Sequence, residues 1–199
     1  MVKLPQVGRV KTRLASETGG VRAAWFYRHT VAAVLARLSN RGTWKTVLAV
    51  TPDSGVTSRI WSATVMRKVQ GGGDLGARMQ RIMGWRSTGP VIIVGSDIPA
   101  IRPSHIAAAF KALGGNDAVF GPARDGGYWL VGQRRRPHSL RMFNDVRWSS
   151  PHALSDSLAN LDGQRVALIA TLCDVDDAGE LSEVAAWCGR RILPITVGT

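Results

Sequence analysis

Acidic residues are scarce in this chain: 14 Asp and Glu stand against 26 Lys and Arg, a formal net charge of +12. That imbalance suits nucleic acid, small polyphosphates and anionic membrane surfaces alike, and alone it decides nothing among function classes. The first of these lacks its motifs, because no helix-turn-helix, RNP-like or zinc-finger pattern accompanies the cations. The charges are spread, with one dense run, "QRRRPHSLR", that holds Arg134, Arg135, Arg136 and Arg141. No specific nucleic acid is therefore expected, and a nonenzymatic binder of nucleic acid or acidic polymer is the competing class. Cysteine is scarcer still. Cys173 and Cys188 form neither a metal spacing nor a disulfide framework, and both read as reduced thiols.

Long apolar runs are missing too. None approaches the ~18 to 20 residues that cross a bilayer, and the start "MVKLPQVGRV" has no signal-peptide core, so a cytoplasmic protein is expected. No Walker A spacing and no Ser-His-Asp arrangement is found. His29 and His105 fall in helical stretches, His138 and His152 near turns, and all four read as structural or surface residues.

What is present is alternation. At 199 residues and 45% hydrophobic content, the chain predicts one domain around one core. Helical spacing runs over residues 21–38, 75–85 and 103–113, and from a Ser150 N-cap and Pro151 to about Leu161. Strand-like runs cover 46–51, 64–70, 91–94, 117–123, 127–133 and 165–170; Asp177 and Glu180 have capping-box spacing, and "RRILPITV" predicts a last short strand. This order argues a three-layer α/β/α sandwich with a mostly parallel sheet.

Four stretches carry candidate chemistry. In "GRVKTRL", Gly8 precedes Arg9, Lys11 and Arg13, cations on a loop that suit phosphate oxygens as well as they suit plain solvent. In "VQGGGDLGARM", Gly72, Gly73, Asp74, Gly76 and Arg78 read either as a close-approach loop or as a flexible connection whose Asp74 caps the next helix. In "VIIVGSDIPAI", Asp97 follows a buried strand, at the rim where open α/β sheets bind ligands. A carboxylate there holds Mg²⁺ or Mn²⁺ together with a diphosphate, or forms a turn before Pro99. In "FGPARDGGYWLVG", Asp125, Gly126 and Gly127 make either a hairpin turn or, with Tyr128, a grip for a polyol.

Taken in this order, "KLPQVGRVKTRL", "GGGDLGARM", "VGSDIPAI", "DAVFGPARDGGYWLVG", "WSS" and "DVDDAGEL" resemble a bacterial GT-A-fold glycosyltransferase-like family of the radical-SAM/selenodomain-associated transferase type. That family is similar in fold to molybdenum-cofactor nucleotidyltransferases and 2-phospho-lactate guanylyltransferase. The resemblance runs from about Lys3 to Leu181. It implies a nucleotide pocket from Gly8, Arg9, Lys11 and Arg13 with Gly72, Gly73, Asp74 and Arg78, and a metal-binding acidic position at Asp97. Asp125, Gly126, Gly127, Tyr128, Trp148 and Ser149 would face the transferred group or its acceptor. The implied catalytic residues are Asp97, Lys11 and Asp125, and the donor is a nucleotide sugar or nucleoside triphosphate with an unnamed acceptor. Homodimerisation is compatible with this reading.

Two departures from the pattern matter. Asp177, Ala178 and Gly179 replace Thr-Pro-Glu, and Glu180 replaces Asp, in the "DVDDAGEL" block, where Asp174 and Asp176 are further acidic positions. The family also has an apolar first strand before Lys3, where this chain offers only Met1 and Val2, so a cut-short first strand and exposed sheet edges are expected.

Overall fold

The computed structural model describes residues 1–39, 42–85, 88–134, 139–173 and 179. The elements run β1 (Val2–Lys3), α1 (Thr12–Thr18), α2 (Gly20–Leu38), β2 (Val47–Thr51), β3 (Met66–Val69), α3 (Leu75–Met83), β4 (Val91–Val94), α4 (Pro103–Ala112), β5 (Ala118–Pro122), β6 (Tyr128–Gln133), α5 (Ala153–Ala159) and β7 (Val166–Leu168). The expected last strand, the capping box at Asp177 and Glu180, and Cys188 lie outside the described residues.

Strand pairing forms two groups, β1-β2-β3 and β4-β6-β5-β7. The first is parallel throughout, and β5 and β7 are also parallel; β6 runs antiparallel to both of its neighbours. Helices cover both faces. On one side Met79, Ile82 and Met83 of α3 pack with Ile93, Phe120, Val131 and Ala49; on the other Ile106 and Ala109 of α4 and Val34 and Leu38 of α2 pack with Val119 and Leu130. Neighbouring strand residues therefore enter opposite cores, and burying each such apolar side chain contributes roughly 1.5–3 kcal/mol. This is the expected α/β sandwich.

Val2 and Lys3 pair with Val50 and Thr51, and the Met1 amine donates to Val94 O at 2.6 Å, which links the two strand groups at one point. Beside that link, Val47, Ala49, Ile92, Ile93 and Phe110 line a cavity of about 110 Å³ together with Lys45 and Thr46.

Two local expectations are corrected. The segment after Gly8 is not wholly loop, because α1 forms at Thr12–Thr18; Lys11 takes a left-handed conformation (φ 46°) as its N-cap, and Leu14 is buried. Helix α5 begins at Ala153 rather than at Ser150. The Ser150 hydroxyl donates to Arg147 O at 2.6 Å and accepts from His152 N at 3.2 Å, so it organises the turn that precedes the helix.

Candidate functional site

Strand β4 ends where its ladder stops, with Gly95 N donating to Trp129 O at 2.9 Å. Ser96 then turns inward, its Oγ 3.1 Å from Tyr27 Oη, and Asp97 emerges at the carboxyl rim. Lys11 Nζ donates to Asp97 Oδ2 at 2.8 Å; the lysine side chain is 4% exposed and the aspartate 35%. A nearly buried ammonium is thus tied to a carboxylate that still meets solvent. The left-handed backbone of Lys11 lies beside the site, as such conformations often do at ligand clamps.

Two adjoining cavities share this pair's surroundings. The larger, about 490 Å³, includes Thr51, Gln70, Arg78, Asp97, Asp125 and Tyr128 in its wall. The smaller, about 340 Å³, is lined by Lys3, Arg9, Lys11 and Arg13 with Val10, Thr12, Tyr27 and Asp97. Lys3, Tyr27 and Asp97 belong to both. Four cations around one cavity make a place for anionic oxygens.

Tyr27 lies on the buried face of α2. Its hydroxyl accepts from Lys3 N at 2.9 Å, and burial pushes its pKa up, so it stays a neutral hydroxyl between β1 and β4. A tyrosine on an apolar helix stripe was the available signal, since its buried hydroxyl needs a partner. Gln70 was missed as well. Its amide donates to Val2 O at 3.0 Å and Ala49 O at 2.8 Å, bridging β1 and β2.

The glycine-rich stretch divides. Arg78 lines the larger cavity, donating from Nε to Gly73 O at 2.9 Å and from Nη1 to Thr51 Oγ1 at 3.4 Å. Asp74 caps α3 by accepting from Ala77 N at 2.7 Å; it is exposed, like Gly72 and Gly73, and none of the three is in the cavity wall. Gly76 serves close packing within the protein, because a Cβ there would lie 2.8 Å from Phe143 O and 3.0 Å from the Trp148 ring.

The "RDGG" stretch forms the expected hairpin turn. It joins antiparallel β5 and β6 as a hairpin, with Ala123 N donating to Gly127 O at 3.0 Å and Gly127 N to Asp125 Oδ1 at 2.9 Å. Asp125, Gly127 and Tyr128 also line the larger cavity, together with Trp148 and Ser149. The Tyr128 ring meets Phe120 and Trp148 edge-on, at 5.1 and 6.4 Å between centroids. Burial raises the Tyr128 pKa, and its hydroxyl lies 3.2 Å from Ser157 Oγ. Asp174, Asp176, Asp177, Glu180, Arg135 and Arg136 lie outside the described residues.

A fork holds the Trp148 segment in place. Arg147 donates from N, Nε and Nη2 to the two Asp156 oxygens of α5, at 3.0, 2.9 and 2.8 Å. Hydrogen bonds from the guanidinium hold the Asp156 carboxyl well below the usual carboxylate range. A depressed folded pKa contributes stability above the ordinary carboxylate value and loses it as the pH falls through the depressed one. Asp156→Asn should therefore cost stability at neutral pH and little in strong acid. Trp148 emission, followed against pH on a background lacking the other tryptophans nearest the site, checks this; a pH-independent difference would contradict it.

A family model described as "Uncharacterized protein conserved in bacteria (DUF2064)" matches residues 34–150. The chain belongs to this family. The DUF2064 match takes in Asp97, the Asp125–Tyr128 turn, Trp148 and Ser149, and it begins after the Gly8 to Arg13 loop. Among solved structures, the chain is similar to one described as a "putative nucleotide-diphospho-sugar transferase from Desulfovibrio desulfuricans G20". The two are 28% identical, with a TM-score of 0.84 over 96% of this chain and 86% of that one. No curated protein matches the chain.

Proposed function

We propose that this protein is a metal-dependent transferase using a nucleotide-activated donor, with glycosyl transfer from a nucleotide sugar as the preferred reaction. The Lys11–Asp97 pair at the end of β4, standing between a cationic cavity and a larger mixed one, carries this reading. Similarity to a protein described as a putative nucleotide-diphospho-sugar transferase supports it.

The residues suit Mg²⁺ or Mn²⁺ in one mode only. Among the described residues no group of three His, Cys, Asp or Glu could cage a metal. One carboxylate, Asp97, with donor phosphate oxygens and water is the shell a nucleotide-bound Mg²⁺ ordinarily takes. Bound there, the ion would offset charge on the leaving phosphate. Lys11 would exchange its carboxylate for phosphate oxygens, joined by Arg9 and Arg13, so that positive charge faces the bond being broken. Asp125 would orient or deprotonate the acceptor hydroxyl, with Gly126, Gly127, Tyr128, Trp148 and Ser149 shaping that end.

Four cations in the smaller cavity also favour a second reading, nucleotidyl transfer from a nucleoside triphosphate, since they match a longer phosphate chain. Incubation with Mg²⁺ and each donor class, followed by chromatography, separates the two. Release of nucleoside diphosphate from a nucleotide sugar supports glycosyl transfer, and release of pyrophosphate from a triphosphate supports the second reading. Turnover unchanged by Asp97→Asn would sink both.

A further inference from the structure

We propose that the outer face at the start of α2, with the loop that precedes α1, is a docking surface for an anionic lipid bilayer. The first reason is charge. Residues 1–52 contain nine Lys or Arg and one acid, Glu17, so the chain's positive excess is concentrated in its first quarter. The second is what accompanies that charge. Val21 is 72% exposed, Val7 60% and Trp25 37%, and these belong to the largest exposed apolar side chains of the described residues.

These residues share one face. At 100° per residue, Arg28, Val21, Trp25 and Arg22 fall within about a 120° arc of α2, with the arginines flanking the apolar pair. Arg22 and Arg28 are exposed, while Ala23, Phe26, Tyr27 and Thr30 on the opposite arc are buried. Val7 extends the patch, because its Cγ1 lies 3.0 Å from the position a Cβ would take on Gly20. Exposed Arg9 continues the charge toward the smaller cavity.

Apolar side chains between basic ones fit a membrane interface better than a nucleic acid. A phosphate backbone gains nothing from Val7 or Val21, whereas a bilayer takes up apolar side chains and a tryptophan at headgroup depth while cations meet anionic headgroups. The core-facing arc of α2 is already filled, so the helix stays packed and only its outer side chains enter the interface. Docking would turn the Arg9 and Arg13 side of the cleft toward the headgroups. The inference stands apart from the transferase reading, since it concerns binding without nucleotide.

Co-sedimentation with vesicles tests it, using phosphatidylcholine alone or mixed with phosphatidylglycerol at about 0.15 M salt, where weak surface attraction is screened. The full chain should pellet with the mixed vesicles and not with phosphatidylcholine. Val21→Ser with Trp25→Ser, which leaves the charge unchanged, should lower the bound fraction at least about fivefold, and Arg22→Glu with Arg28→Glu should do the same. Thermal melts of each double variant establish that it is folded; should Trp25→Ser fail that check, Val7→Ser with Val21→Ser takes its place. No pelleting with the mixed vesicles overturns the proposal. So does equal binding by the serine variant, which would mean adsorption by charge alone, or preferential binding of a duplex oligonucleotide through the same arginines.

Discussion

Asp97→Ala should lower the rate of transfer by about 10²- to 10³-fold, the range lost when a preorganised electrostatic group is removed from an active site. It should also lower stability, for a separate reason. Breaking a fully buried ion pair costs about 3–5 kcal/mol, and since Asp97 is 35% exposed the discounted figure is about 1–2 kcal/mol. For a chain of this size that is a fall in Tm of roughly 3–6 °C. The two effects are separable. Asp97→Asn keeps a hydrogen-bond acceptor for Lys11, so it should recover part of the Tm and none of the transfer rate. In a double-mutant cycle with Lys11→Met, the stability losses should be less than additive, because each single variant already removes the same 2.8 Å contact. Additive losses together with a normal rate in Asp97→Asn would remove the pair from both roles.

Gly126→Ala should be the most destabilising small substitution at the site. Gly126 has φ +84°, and a Cβ there would run into Pro151 O and lie 2.6 Å from Pro151 Cα. Both obstacles are backbone, so no side chain can move aside. Left-handed backbone costs an L-residue roughly 1–2 kcal/mol, and displacing the neighbouring chain should bring the total to about 3 kcal/mol or more. Leu154 N donates to Gly126 O at 3.0 Å, so the shift would reach the start of α5 and the Trp148 segment beside it. Gly163→Ala is the control. Its φ is +74°, but a Cβ there meets nothing within 4 Å, so only the conformational cost of roughly 1 kcal/mol should apply. Urea unfolding of the two variants measures the difference, and equal midpoints would mean that the Pro151 contact is not a constraint.

The residues that could be read from sequence are those whose role is local. Val91 to Val94 are a continuous apolar run and Gly95 breaks it, which is enough to place Asp97 at a strand end. Helix α2 was legible because its buried residues repeat at helical spacing. The hairpin at Asp125 was legible from Asp-Gly, though that signal could not say that the same turn borders a cavity. Residues missed are those whose role comes from distant contacts. Tyr27 and Ser96 are 69 positions apart, and nothing in either neighbourhood announces the other. The short α1 was hidden because its N-cap is a left-handed lysine in place of the usual serine or aspartate. That β6 would also pair with β4, and antiparallel to it, was unreadable, since a strand buried on both faces has the same composition whichever neighbour it takes. Asp74 was legible as a cap, because a helix-opening aspartate accepts from the backbone three residues on, here Ala77 N.

The most direct measurement is a thermal-shift titration with nucleoside diphosphates, triphosphates and nucleotide sugars, each with Mg²⁺ and with EDTA, on the wild type and Asp97→Asn. A ligand at 100 times its Kd stabilises by about 2.7 kcal/mol, a rise of roughly 5–10 °C in a chain of this size. One nucleotide class should raise Tm with Mg²⁺, raise it far less with EDTA, and fail to raise it in Asp97→Asn. A rise of equal size with EDTA or in the variant would contradict a metal-dependent nucleotide site at Asp97, and no rise with any nucleotide would contradict nucleotide binding itself.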